Sequence, residues 1–333
     1  MNARVLSRPA LIEATAPPER RGIERDAVRM LVTDRSAQSH RDARFYELPS
    51  FLREGDLLVV NDSATVPAAL TAARTGGERL QLHVATRIDE RIFLAEPRGS
   101  VLRGEELHLP EGGSAVTIAP VNPERPRLWY VWFQLPSPMH EYLARAGEPI
   151  RYGYVPLRFP LSDYQTIFAR VPGSSEMPSA ARPFSKRVVE ALRAAGVSVA
   201  TVTLHCGVSS FETPELPAIE RYAVPPETAD AVNAARREGC SVIAVGTTAL
   251  RALESSVYDG RVTASSGWTE LVIEPNHTIR SVDGLLTGFH DAAATHRWIV
   301  GSFLDLTTLE SAYAHAAERG YFYHEFGDVH LIL

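Results

Sequence analysis

The sequence predicts an α/β fold, a mostly parallel sheet domain with an inserted small β-barrel domain. Three observations carry that expectation. From Lys186 to the C-terminus, short apolar runs alternate with amphipathic stretches, as strands and crossover helices do in a parallel sheet. Between Pro67 and Ile150 the pattern changes to short β-rich runs separated by glycine and proline turns, the signature of a small barrel or sandwich. The chain has 333 residues, a length that suits two domains. The expected division is residues 1–66 and 151–333 as one discontinuous α/β domain, with 67–150 inserted as the barrel.

Each element has its own warrant. In the inserted segment the runs Leu80–Val84, Arg91–Leu94, Ala115–Ile118 and Leu128–Phe133 read as strands, and Gly76-Gly77, Pro97 to Gly99, Gly112-Gly113 and Asn122-Pro123 read as turns. Val188 to Ala195 is an amphipathic helix stopped by Gly196, Val197 to Leu204 a buried strand, and Pro226 to Glu238 a helix closed by Gly239. Val242 to Val245 is another buried strand. The first twenty residues, charged and interrupted by prolines, lack the apolar core of a secretory signal and read as an extended arm.

Nearly half of the residues are apolar and the charges are mixed, as in a soluble globular protein with no membrane partner, for which the default compartment is the cytoplasm. Cys206 and Cys240 each adjoin an apolar run, which favours buried free thiols over a disulfide. The eleven histidines are scattered without metal-ligand spacing, so no metal is expected. Neither a Gly-x-Gly-x-x-Gly fingerprint nor a Walker phosphate loop occurs, which weighs against nicotinamide and nucleoside triphosphate chemistry. A net charge of −6 argues against nonspecific nucleic-acid affinity, and any local phosphate recognition would use arginine, because Lys186 is the sole lysine.

The segment Ser241 to Ser255 combines a β-branched run, a glycine turn and a helical restart. Gly246 supplies the turn, Thr247 and Thr248 are N-cap candidates, and the first helical N–H groups would face the space beyond the strand's carboxyl end. Polar or anionic ligand groups bind in such places. Arg251 and Glu254, three residues apart, would share a helix face as a carboxylate-binding fork beside a carboxylate.

Seven blocks in order extend this motif along nearly the whole chain: Arg25 to Val32, Leu52 to Asp62, Asp163 to Thr166, Val202 to Gly207, the Gly246 turn, Thr287 to His290 and Phe326 to Asp328. With these blocks the chain resembles the S-adenosylmethionine:tRNA ribosyltransferase-isomerase family of queuosine biosynthesis. The resemblance implies an α/β domain split by a β-barrel, with the substrates meeting in the cleft between them. It also implies an enzyme that moves the ribosyl part of S-adenosylmethionine onto the 7-aminomethyl-7-deazaguanine base of tRNA, forming epoxyqueuosine and releasing adenine and methionine. S-adenosylmethionine is then a co-substrate, and no other cofactor is expected. The reaction needs a base near C5′ and an acid for the departing adenine.

Candidate catalytic residues are His205 at a strand end, His290 in a comparable loop, and Glu220, which aligns with the acidic residue of a family motif. Candidate substrate-binding residues are Asp62, Glu176, Phe184, Gly246, Thr247, Thr248, Arg251, Glu254 and Phe289. Arg251 would suit the ligand's carboxylate, Phe184 or Phe289 its sulfonium, and Glu220 or Glu254 its ammonium or ribose diol. The chain departs from the family where chemistry is expected: Pro183 and Arg182 replace a histidine and a leucine, Ala64 and Ala69 replace arginines, Asp291 to His296 replaces a lysine-containing run, and Phe322 replaces an arginine. Those losses make tRNA the less secure partner and S-adenosylmethionine the firmer one. They leave open a paralogue with a small-molecule acceptor or a simpler cleavage, and a non-catalytic binding protein.

Overall fold

A computed structural model describes residues 12–208, 216–290 and 294–333. A nine-stranded sheet runs in the order Ser265–Thr269, Glu220–Val224, Ser198–Leu204, Leu57–Asn61, Val242–Val245, Gly284–Gly288, Val329–Ile332, Arg29–Asp34, Ser39–Arg44. Its four consecutive strands from Ser198–Leu204 to Gly284–Gly288 are parallel, as is the pair Arg29–Asp34 with Val329–Ile332. Antiparallel pairs make up the flanks. Parallel strands are covered on both faces, which explains their continuous apolar runs. Along Leu57–Asn61, Leu57 and Val59 join one core while Leu58 and Val60 join the other.

On the first face lie helices Pro226–Arg237, Thr247–Ser255, Thr295–Gly301 and Leu306–Glu318, through residues such as Val232, Leu253, Ile299 and Ala312. The second face is covered by helix Lys186–Ala194, through Val188, Val189 and Leu192. Ser185 caps that helix, its hydroxyl accepting the Val188 N–H at 3.2 Å. The elements Ser198–Leu204 and Pro226–Arg237 lie within a residue of the bounds expected from periodicity, while the helix expected from Val188 begins two residues earlier, at Lys186.

Between the sheet strands Leu57–Asn61 and Ser198–Leu204 the chain builds a closed six-stranded barrel from Ala69–Arg74, Arg79–Arg87, Ile92–Pro97, Glu106–His108, Ser114–Pro120 and Trp129–Gln134. All six neighbouring pairs are antiparallel. Leu70, Leu82, Phe93, Leu107, Val131 and Phe133 fill it, and Tyr142 of the following helix Met139–Ala146 joins that core, donating to the Pro110 carbonyl at 2.6 Å. Periodicity reveals four of these strands. Ala69–Arg74 and Glu106–His108 are missed because the first is alanine-rich and the second has three residues.

The described part of the N-terminal arm is tied down. Ile12–Glu13 pairs in parallel with Phe322–Tyr323, and the Arg21 guanidinium lies 4.8 Å from the centre of the Phe322 ring. A cation therefore remains beside the position where the family arginine is lost. Among the described residues no helix is long and apolar enough to cross a membrane.

Candidate active site

The carboxyl ends of the parallel strands open onto a cleft of about 1560 Å³, counting its mouth, bounded on the far side by Arg127, Ile150 and Tyr152. Asn61 fixes the strand ends. Its side-chain oxygen accepts the N–H groups of Ser63 and Leu204 at 3.0 Å each, and its amide donates to the Leu204 carbonyl at 2.8 Å and to the Thr248 hydroxyl at 3.1 Å. That network sets the turn after Val245, where Gly246, Thr247 and Thr248 line the cleft.

Gly246, at φ 92° and ψ 153°, is itself the N-cap of helix Thr247–Ser255. The expected threonine caps are therefore corrected: backbone freedom, which a β-branched residue lacks, starts this helix. One turn along, Arg251 is 5% exposed. Its Nε donates to the Leu271 carbonyl at 3.0 Å and its Nη1 pairs with Glu220. Glu220 also accepts the Gly207 N–H at 2.8 Å. Arg251 Nη2 is buried with no partner among the described residues, a donor available to a ligand carboxylate in the cleft that Arg251 lines.

His290 and His296 form a second feature of the cleft, their rings stacked at 4.7 Å and 13°. His290 Nε2 lies 3.1 Å from the Thr287 hydroxyl. Burial first, and then the neighbouring His296 and His324, holds His290 well below the usual imidazole range. Burial likewise brings His296 down to about 4. Burial thus keeps both imidazoles neutral at pH 7, the form in which a ring nitrogen can accept, while making the protonated form costly. Phe289 is buried in the adjoining wall against Tyr313 and Tyr321.

A third group comes from irregular backbone. The Tyr152 hydroxyl donates to Glu176 and the Tyr154 hydroxyl to Glu325. The rings of Tyr152 and Tyr154 stack at 6.0 Å, and Tyr154 stacks on His324 at 4.1 Å, both within 13° of parallel. Burial raises the Glu325 carboxyl to about 7, and the Glu176 charge adds to the rise.

Glu176, Glu220, Gly246, Thr247, Thr248, Arg251, Phe289 and His290 thus share one cleft, whereas four other candidates lie elsewhere. Asp62 is buried under the sheet edge, accepting from Arg170 Nη2 at 2.7 Å and the Thr203 hydroxyl at 2.6 Å. Phe184 is fully buried against Phe45 and Phe168. Glu254 accepts the Arg280 and Ser281 N–H groups, at 2.8 and 2.7 Å, and the Ser281 hydroxyl at 2.6 Å, with His277 at 3.2 Å. It pins that loop and does not line the cleft, because position 254 lies most of a helical turn beyond Arg251.

His205 follows its strand, as the sequence suggests, but it is not among the lining residues; its neighbours Cys206 and Gly207 are. Its Nδ1 lies 2.7 Å from the Ser63 hydroxyl, and burial with the Arg221 charge lowers its pKa. The ring covers Gly173 so closely that a Cβ there would sit 2.6 Å from it. Sequence reasoning missed Tyr152, Tyr164, His296, His324 and Glu325. The available signal was adjacency, since Tyr164 lies inside one family block and Glu325 immediately precedes another.

Residues 7–332 match the family model described as queuosine biosynthesis protein. The chain belongs to this family. It is 35% identical over 322 residues to the S-adenosylmethionine:tRNA ribosyltransferase-isomerase of Moorella thermoacetica, covering 93% of this chain and 94% of that one. It is 35% identical to the enzyme of the same name from Thermus thermophilus, covering 95% and 97%. Among solved structures, S-adenosylmethionine tRNA ribosyltransferase from Thermotoga maritima aligns with a TM-score of 0.56 and 29% identity, over 97% of this chain and 98% of that one. Two of the positions at which this queuosine biosynthesis protein departs from the family have defined surroundings. Arg182 is 2% exposed, with Nη2 on Glu19 at 2.9 Å and Nε on the Asp163 carbonyl at 3.0 Å. Ala69, 6% exposed, lines a groove that also carries Arg151 and Arg158. Residues 291–293, part of the replaced run, lie outside the described residues.

Proposed function

We propose that the protein transfers and isomerises the ribosyl part of S-adenosylmethionine onto the 7-aminomethyl-7-deazaguanine base of tRNA, with release of adenine and methionine. The observation that carries this reading is the unpartnered Nη2 of buried Arg251, in a cleft that also holds neutral imidazoles. In the proposed arrangement Arg251 grips the methionine carboxylate, with Glu220 holding the guanidinium in place. Phe289 is at the cleft wall, where an aromatic face suits a sulfonium.

The sulfonium acidifies the C5′ hydrogen, and His290, neutral and paired with His296, takes that proton. Adenine then departs with a proton from a general acid, the base's amine attacks in its free form and gives up a proton, and methionine leaves as a ribosyl oxygen closes the epoxide, with one proton released to solvent overall. Relatives that share 35% identity over nearly their full length and carry the ribosyltransferase-isomerase name favour tRNA over a small-molecule acceptor or a non-catalytic role. In the groove beside Ala69, Arg151 offers a cation, while Arg158 is paired with Glu148.

Purified protein incubated with S-adenosylmethionine should release adenine and methionine when tRNA bearing the aminomethyl base is added, and not with tRNA bearing guanine at that position. Release independent of tRNA would support the small-molecule reading instead.

A further inference from the structure

Glu176 and Glu325 both line the cleft, and neither belongs to the Arg251–Glu220 pair proposed to hold the donor's carboxylate. Glu176 and Glu325 come from segments far apart in sequence, and each receives a tyrosine hydroxyl. The Glu176 charge adds to the rise of the Glu325 carboxyl, and a cation placed against the two carboxylates relieves that repulsion. A second, independent observation points to a ligand there: Tyr164 is 4% exposed and lines the same cleft, and its hydroxyl has no partner among the described residues. A buried hydroxyl without a partner costs stability unless a ligand supplies one.

We propose that Glu176 and Glu325, with Tyr164, form the subsite that recognises the primary ammonium of the acceptor base. This rests on the ribosyl-transfer reading and adds to it the determinant of acceptor specificity. Tyr152 and His324, which flank Tyr154 in the stack, both line the cleft and provide a flat aromatic edge for a planar base. Tyr164 also lines the groove that carries Arg151 and Arg158. An extruded nucleotide can thus place its base against the tyrosines while its phosphates meet guanidinium groups. The Glu325 carboxyl, held up to about 7 chiefly by burial, receives the ammonium as a charged pair and can then take its proton, freeing the amine for attack. Recognition of charge separates an aminomethyl base from guanine, or from a base carrying a neutral nitrile in the same place.

The test compares the wild type with Glu176→Gln, Glu325→Gln and Tyr164→Phe. Affinity for S-adenosylmethionine is measured by calorimetry, and binding and KM are measured with tRNA carrying either the aminomethyl or the cyano base. The wild type should prefer the aminomethyl tRNA by at least 10-fold. Each glutamine variant should raise KM for that tRNA about 10-fold and reduce the preference, with donor affinity within 2-fold of wild type. Tyr164→Phe, the gentlest change, should raise KM several-fold and serves if a glutamine variant melts early. An unchanged preference, or a parallel loss of donor affinity, would overturn the assignment, the second outcome placing the donor's own cation against these acids. The binding preference is read without turnover. Failure of the wild type to consume S-adenosylmethionine would thus count against ribosyl transfer, and absence of the preference against the subsite.

Discussion

Arg251→Ala should weaken S-adenosylmethionine binding by roughly 10- to 150-fold, equivalent to about 1.5–3 kcal/mol for a charge-assisted hydrogen bond. Turnover at fixed substrate should fall at least as far. The substitution also strips Glu220 of its partner in a buried place, and breaking a buried ion pair costs on the order of 3–5 kcal/mol. Calorimetry must therefore be read beside the melting curve. Arg251→Lys separates the two effects: an ammonium can neutralise Glu220 but lacks the second planar donor that Nη2 provides. The lysine variant should recover most of the stability and little of the affinity. Wild-type affinity in both would leave Arg251 as a partner of Glu220 and the Leu271 carbonyl alone.

Gly246→Ala should be nearly as damaging, through the backbone. With φ at 92° and ψ at 153°, Gly246 occupies a region that L-residues enter at a cost of about 1–3 kcal/mol. A Cβ there would also lie 3.3 Å from the Ala180 Cβ, tighter than ordinary contact. Relief requires the turn to move, and Thr247, Thr248 and Arg251 move with it. We expect a fall in the unfolding midpoint together with a loss of donor affinity of about 10-fold or more. A variant that melts lower but binds normally would show that the turn stabilises the helix without shaping the site.

The parallel half of the fold is legible because its signals are local. Val242–Val245 is a run of four buried residues that ends at a glycine, and Pro226–Arg237 has a proline at its start and a glycine after its end. The Gly246 motif follows from the same logic, and the cleft forms where sheet topology places ligands. Side-chain direction within the helix is less legible. Arg251 and Glu254 share a helix face, but Glu254 lies about 4.5 Å farther along the axis from the turn at the cleft, where it meets the loop at Arg280 and Ser281 instead. Asp62 illustrates a different limit. Its place inside a matching block marks it as important, but nothing local shows that Arg170 and Thr203 occupy both its oxygens.

The aromatic and acidic group was the least legible. Tyr152, Tyr164, Glu176 and Glu325 sit on segments joined through tertiary contacts, with little regular structure to predict their direction. A net charge of −6 averages over the chain and says nothing of local placement, such as Arg151 beside the Arg158–Glu148 ion pair in one groove. Phosphate contacts depend on such local placement.

The central claim, that the ribosyl carbons of S-adenosylmethionine end up on the base, is tested most directly by supplying the donor with ¹³C in all five ribosyl carbons and the tRNA with the aminomethyl base. The tRNA is then digested to nucleosides for mass spectrometry. The modified nucleoside should carry all five labelled carbons, with unlabelled adenine and methionine released in equal amounts. Label that remains in a small molecule, with the tRNA nucleoside unchanged, would contradict it.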